Sequence, residues 1–160
     1  MKMSSQEEYG LRCLLRLGQQ PEGASLTIAE LSRSEGISSP NVAKMMRVLR
    51  KAGLVTSTRG KDGGYALARP AEQIKVGEAL AVLGGRLFDS AFCDTHSGST
   101  GLCANMGDCS IRSVWRLLQD AIDGVLGRMT LKDLVRSESD MRAWPGGAQV
   151  VRLQVGTDRR

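Results

Sequence analysis

Three cysteines, Cys93, Cys103 and Cys109, lie close together in the chain, with nine and then five residues between them. Three glycines recur between Cys93 and Cys109, a density that disfavours a continuous helix or strand. A loop of this composition cannot build an apolar core of its own, so something else must order it. Cysteine thiolates are preferred ligands of zinc and of iron-sulfur clusters. The spacing therefore predicts a soft-metal site at residues 93–109.

The only histidine of the chain, His96, lies three residues after Cys93. It is either an exposed loop histidine or a fourth ligand, which would close a Cys3His zinc site or bind a cluster, and the spacing leaves these interpretations open. An enzyme with a cysteine nucleophile is disfavoured. His96 would be its only imidazole base, and the sequence indicates no residue that would orient this ring. The fourth cysteine, Cys13, lies among leucines of a helix predicted from Glu7 to Gln19, so we expect a small buried hydrophobic side chain.

The 160 residues suffice for one core and a helical appendage. No apolar run approaches the roughly 20 residues that cross a bilayer, and the polar start lacks a secretion signal. We therefore expect a cytoplasmic protein with no membrane partner. Cysteines are kept reduced in that compartment, which favours metal or redox chemistry over disulfides.

The positive charge of the chain is concentrated in one window. The net charge is +5, and residues 39–69 contain seven cationic side chains against one acidic side chain. Such a patch is typical of a nucleic-acid contact if its cations share one face.

The segment from Thr27 to Lys51 has the signals of two short helices joined by a tight turn. Thr27 and Glu30 have the spacing of a capping box, Gly36 supplies a turn, and Pro40 suits the first turn of a second helix. Two such helices form a helix-turn-helix. We expect Met45 to face outward on the second helix, together with the candidate DNA contacts, which are Ser39, Asn41, Lys44, Arg47 and Arg50.

Two short extended runs, 54–58 and 65–68, flank a glycine-rich turn and predict a β-hairpin. A hairpin directly after a recognition helix is the wing of a winged helix. Arg59 and Lys61 at its tip are expected to contact phosphates or the minor groove. The predicted fold class is mainly α with a small β-hairpin wing.

Apolar residues after Cys109 recur with heptad spacing, at Ile111, Trp115, Leu118, Ile122, Val125 and Met129. Such a seam packs either inside its own chain or against a second copy; we favour a homodimer, because a small DNA-binding unit gains from reading two half-sites. A capped turn at 130–135 is expected to fold back on the seam. The predicted organisation is a winged helix-turn-helix domain at 1–85, a cysteine-rich cluster-binding loop at 86–109, a dimerisation helix at 110–136 and a flexible tail at 137–160.

The order of these elements resembles the Rrf2 family of bacterial regulators, over about residues 1–135. Besides the cysteines, three segments carry the resemblance: Glu8-Tyr9-Gly10-Leu11-Arg12, Val48-Leu49-Arg50-Lys51-Ala52-Gly53-Leu54-Val55 and Arg59-Gly60-Lys61-Asp62-Gly63-Gly64-Tyr65. The resemblance implies that Cys93, Cys103 and Cys109 bind an iron-sulfur cluster, either 2Fe-2S or 4Fe-4S, at a dimer interface.

The resemblance also bears on the fourth ligand of the cluster. IscR-like members use a histidine three residues after the last cysteine, where this chain has Arg112, which cannot bind iron. NsrR-like members use an acidic residue of the partner subunit just before the first-helix tyrosine, and here Glu8 has that position. Glu8 is thus the preferred candidate and places the chain nearer the NsrR-like branch.

These observations predict a dimeric DNA-binding transcription regulator, not an enzyme, with double-stranded DNA and a pseudo-palindromic operator as its target. An iron-sulfur cluster that senses iron-sulfur status, nitric oxide or redox stress would set its affinity for the operator. The alternative is the same regulator with a structural zinc ion held by Cys93, His96, Cys103 and Cys109.

Overall fold

A computed structural model describes residues 3–58, 63–89, 91–99 and 101–145. Within these ranges the regular secondary structure is helical apart from one two-stranded antiparallel sheet. The elements in chain order are α1 Ser5–Gly18, α2 Ile28–Glu35, α3 Ser39–Lys51, β1 Val55–Ser57, β2 Tyr65–Leu67, a 3-10 turn Ala71–Gln73, α4 Val76–Gly84, α5 Phe92–Thr95, α6 Ser110–Leu126, α7 Leu131–Leu134 and α8 Glu138–Arg142. The predicted class, mainly α with a small β-hairpin, is confirmed.

Helix α2 begins with the capping box that the sequence predicts. The Thr27 hydroxyl accepts a hydrogen bond from the Glu30 amide, and the Glu30 carboxylate accepts one from the Thr27 amide at 2.7 Å. These two bonds satisfy backbone groups that the helix itself leaves unpaired. The helix ends at Glu35, and the next residue, Gly36, has a φ of 65°, in the left-handed region that glycine adopts without strain. The turn leads directly into α3.

The core lies where α1, α2 and α3 meet. Its fully buried side chains include Leu14, Leu31, Met46 and Leu49. Met45 is also buried, so the prediction that it faces outward is wrong. The buried positions 42, 45, 46 and 49 of α3 follow the i, i+3, i+4, i+7 pattern of a wide apolar stripe, which includes Met45.

The wing is a short hairpin that is joined to the body of the domain. Strand β1 pairs with β2 in the register Val55 with Leu67 and Ser57 with Tyr65. The amide of Leu26 donates to the Tyr65 carbonyl at 2.9 Å, and the Tyr65 amide donates back at 2.8 Å. The segment before α2 therefore pairs with β2 and holds the base of the wing against the body of the domain.

The C-terminal part of the long helix differs from the prediction in two ways. Helix α6 ends at Leu126 instead of continuing to 136, and α7 packs on the winged-helix body instead of folding back on the seam. The amide of Leu131 donates to the Ile74 carbonyl at 2.8 Å, and the Val76 amide donates to the Met129 carbonyl at 3.0 Å. Leu131 is buried in the core as a result.

The predicted tail contains α8 in its first part, and its residues 146–160 lie outside the described ranges. Across the part of the chain that the structure describes, no helix is both long enough and apolar enough to cross a membrane.

Candidate DNA-binding face and cysteine cavity

Helix α3 presents one polar, basic face to solvent. This face consists of exposed side chains that the sequence predicts as DNA contacts, namely Ser39, Asn41, Lys44, Arg47 and Arg50. The opposite side of the helix is in the core, so the helix cannot turn without exposing apolar surface. A rigid helix with cations on its outer face fits the major groove of DNA.

Arg50 also joins the recognition helix to the wing. Its Nη1 donates to the Ser57 hydroxyl of β1 at 3.1 Å. The contact is an exposed link between α3 and β1 that the sequence did not indicate. Arg59 and Lys61 at the tip lie outside the described residues, and their DNA contact stays a prediction.

The three cysteines of the soft-metal prediction line a single cavity of about 660 Å³. Cys93 is on α5, Cys103 is in the following loop, and Cys109 is the N-cap residue of α6. All three thiols are half-buried. The fold therefore directs cysteines from three separate segments toward one space.

Cys109 and Arg112 form the start of α6 and one wall of this cavity. The Arg112 amide donates to the Cys109 sulfur at 3.4 Å, as in a side-chain helix cap. The Arg112 guanidinium donates to the Met106 carbonyl at 3.2 Å, so Arg112 orders the loop instead of supplying a ligand.

Gln119 of α6 is buried, which the sequence did not predict, and it holds the segment before Cys93 against α6. Gln119 is only 5% exposed and accepts a hydrogen bond from the Phe88 amide at 3.0 Å. Its own amide donates to Asp123 at 2.9 Å, and Asp123 pairs with Arg86. Phe88 and Gln119 are 31 residues apart, so no local sequence pattern could reveal their contact.

His96 is turned toward Phe92 instead of the cysteines. The two rings stack with centroids 4.1 Å apart, and the His96 Nδ1 lies 2.8 Å from the Phe92 carbonyl oxygen. The ring is exposed and is absent from the lining of the cavity. A Cys3His zinc site would require His96 to leave this stack.

Glu8 is exposed near the beginning of α1 and does not line the cysteine cavity of its own protomer. Its assignment as a ligand therefore depends on a second subunit. Cys13, in contrast, is fully buried, as predicted. Burial, and to a smaller extent the charge of Glu35, raises the pKa of the Cys13 thiol to about 11, so this thiol stays neutral.

The donor set of the cavity fits a soft metal or an iron-sulfur cluster, since it consists of three thiols. Within the described ranges, no group of three histidine, cysteine or acidic side chains is compact enough to hold a metal ion. The thiols thus share a cavity without forming a closed coordination shell. Gly98 and Gly101 have φ values of 87° and 72° and connect the half that carries Cys93 to the half that carries Cys103. Metal binding would therefore require the segment with Cys93 and the segment with Cys103 to move closer to each other.

The heptad residues at the start of α6 face away from their own protomer. Ile111 and Leu118 are 58% and 44% exposed, whereas Gln119, one position further on, is buried. The side of α6 that packs on its own chain, marked by Gln119, and the side that carries the heptad residues are therefore different faces of the helix.

Comparison with known proteins places this architecture in a family. The sequence profile described as "Rrf2: Iron-dependent Transcriptional regulator" matches residues 3–137. The chain is 35% identical to Protein rrf2 of Nitratidesulfovibrio vulgaris over 139 residues, which are 87% of this chain and 90% of that protein.

Two solved structures have the same fold. The T. potens IscR structure is 31% identical, with a TM-score of 0.66 over 90% of this chain and 91% of that one. CymR, described as the global cysteine regulator of B. subtilis, is 26% identical, with a TM-score of 0.68 over 84% of this chain and 96% of that one. These relatives are regulators and not enzymes, and the winged helix and its basic face agree with them. The chain belongs to the Rrf2 family of DNA-binding transcriptional regulators.

Proposed function

We propose that this regulator is a homodimer whose affinity for operator DNA is set by an iron-sulfur cluster held by Cys93, Cys103 and Cys109, with Glu8 of the second subunit as fourth ligand. The observation that carries the proposal is the convergence of the three thiols on one cavity beside a helix with an exposed apolar seam. Likeness to a protein named IscR supports the cluster over other soft-metal groups.

The exposed seam of α6 supports a second copy as the partner. Ile111, Trp115 and Leu118 form an apolar strip that contacts solvent in the single protomer. A strip with heptad spacing packs against an identical strip through knobs in holes, which removes these side chains from water. Pairing through α6 brings two recognition faces together in one particle, as a two-fold symmetric operator requires.

The cluster, when bound, supplies a rigid cross-link between segments that are otherwise joined by glycine-containing turns. Cys93 and Cys109 would then hold α5 and the start of α6 at a fixed separation, and Glu8 would attach α1 of the second subunit to the same point. A carboxylate is a harder ligand for cluster iron than a thiolate, so this bond exchanges readily, as a sensor requires. Loss of the cross-link would change the separation of the two α3 helices and hence the fit to DNA.

DNA contacts are assigned to two parts of the winged helix. Ser39, Asn41, Lys44 and Arg47 face the major groove, and Arg50 lies at the junction with the wing. The wing-tip residues Arg59 and Lys61 contact the backbone or the minor groove of the same site. As a regulator that acts on bacterial DNA, the protein works in the cytoplasm.

Anaerobic purification tests the proposal. We expect brown protein with iron and acid-labile sulfide, bound to DNA with an affinity that changes when the cluster is removed by a chelator. Substitution of Cys103 by serine should abolish the colour and the difference in affinity together. Colourless protein that binds DNA equally with and without iron would contradict the proposal.

Zinc is the alternative occupant, and the sequence position of His96 favours it. His96 lies close to Cys93 in the chain, and release of its ring from the Phe92 stack would free an imidazole for a closed Cys3His site. Elemental analysis of the purified protein distinguishes the two: zinc without sulfide, lost on His96→Ala and not on Glu8→Ala, would favour the structural zinc site.

A further inference from the structure

We infer that Glu35 is a positioning residue that transmits the state of the cysteine site from α1 to the recognition helix α3. The inference rests on the proposed function, because it names the contact through which Glu8 would influence the DNA-binding face.

Two arginines of α1 converge on the carboxylate of Glu35, the last residue of α2. The Arg12 Nε lies 3.2 Å from Oε2, and the Arg16 Nε lies 2.6 Å from Oε1. Arg12 also donates through Nη2 to the backbone carbonyl of Glu35. The Glu35 side chain is only 10% exposed, so these charge-assisted bonds are less screened than a surface ion pair.

Glu35, which these arginines bind, directly precedes the turn between α2 and α3. Glu35 is followed by Gly36 and by the buried Ile37, whose carbonyl accepts a hydrogen bond from the Ser32 hydroxyl at 2.6 Å. Ser38 then occupies the N-cap position of α3. A displacement of Glu35 thus acts on a short, closely bonded turn that leads directly to the DNA-contacting helix.

On α1, Arg12 follows Glu8 by four residues, so the two side chains lie on one face of the helix, one turn apart. A pull on Glu8 moves Arg12 with it, because the hydrogen-bonded helix is stiff along its axis. The apolar contacts of α1 in the core also hold the helix, but they act on no particular residue of the α2–α3 turn. The Arg12 and Arg16 bonds to Glu35 are directional, and they fix the position of α1 against the turn.

The test compares the wild-type protein with Glu35→Gln, which keeps the shape of the side chain and removes its charge. The probe is the double-stranded DNA that wild-type protein enriches from a randomised library, titrated anaerobically with cluster-loaded and with chelator-stripped protein. The measured quantity is the ratio of the two dissociation constants. We expect a wild-type ratio of about 5 to 150, the usual size of allosteric coupling, and a ratio close to one for Glu35→Gln.

Glu72→Gln is the matched control, because it removes the same charge from an exposed pair with Lys132, away from the α2–α3 turn. Its ratio should equal that of the wild type. Melting temperature and bound iron, measured on every variant, separate coupling from loss of the fold or of the cluster. A Glu35→Gln protein that keeps the wild-type ratio, even with weaker binding in both states, would overturn the inference.

Arg12→Lys provides a second variant if Glu35→Gln does not fold. It keeps the charge, but a single ammonium group cannot bind the Glu35 carboxylate and carbonyl as the guanidinium does. We expect a reduced ratio, and an unchanged ratio would overturn the inference. A ratio of one in the wild-type protein would instead contradict the proposed function itself, independently of Glu35.

Discussion

Gln119 of α6 accepts a hydrogen bond from the backbone amide of Phe88, with 3.0 Å between oxygen and nitrogen. Phe88 begins the segment that leads to Cys93, and α6 carries Cys109 at its first turn. One buried side chain therefore joins the front of the cysteine loop to the helix at its end. Part of the cavity wall is held in place by the protein alone.

Replacing Gln119 by leucine should destabilise the protein. The substitution leaves the Phe88 amide without an acceptor in a buried place, which costs about 1–3 kcal/mol of unfolding free energy. Urea unfolding measures the loss, and limited proteolysis should show faster cleavage near residues 86–96. Gln73→Leu is the control, because Gln73 is exposed on the 3-10 turn. Equal stability of the two variants would show that the contact contributes nothing.

Introducing a charge into the α6 seam should separate the dimer. In Leu118→Glu, a carboxylate would replace an apolar side chain of the strip, and its desolvation in the interface is unfavourable. We expect sedimentation analysis to give a dimer for the wild type and a monomer for the variant, with weaker DNA binding. Gln73→Glu places the same charge on an exposed residue of the 3-10 turn, outside α6, and should remain dimeric. A Leu118→Glu protein that remains dimeric would show that the interface does not include this part of α6.

Removing the Arg47 side chain should weaken DNA binding at every salt concentration. Arg47 is exposed on the outer face of α3, and loss of a phosphate contact reduces the slope of log affinity against log salt by about one. Loss of preference at a single base pair would instead identify a base contact. Arg142→Ala makes the same change of net charge on α8 and should bind like the wild type. Unaltered affinity of Arg47→Ala would remove this residue from the interface.

Cys13 should make the fold less stable as the pH rises above 9. Burial raises the pKa of its thiol from 9.0 to about 11 in the folded state, so between these values the unfolded chain loses a proton that the folded chain keeps. The free energy of unfolding is therefore at its full value below pH 9. It falls as the pH rises further, by about 1 kcal/mol near pH 10. Chemical unfolding of wild type and Cys13→Ala across this range isolates the effect. Parallel pH profiles would contradict it.

Local signals in the sequence predict much of the fold. The capping box of Thr27 and Glu30, the glycine of the turn at Gly36 and the alternation in the hairpin each act within a few residues, and the structure confirms the elements that they mark. The burial of Cys13 follows in the same way from its leucine neighbours.

Features that depend on distant contacts were not predictable. Met45 is buried because several elements surround α3, and periodicity alone does not give the width of that apolar stripe. The return of Leu131 to the core depends on hydrogen bonds between segments more than 50 residues apart, such as the bond from Leu131 to Ile74. The same holds for Gln119 and for the attachment of Arg12 to Glu35 at the site of the inferred coupling.

The affinity of the wild-type dimer for its selected DNA, measured anaerobically before and after removal of bound iron and sulfide, tests the coupling of the cysteine cavity to the winged helix. The proposed function predicts a change of about 5-fold to 150-fold that reverses when the cluster is rebuilt and is absent in Cys103→Ser. Identical affinities in the loaded and stripped states, with the protein folded and dimeric in both, would contradict it.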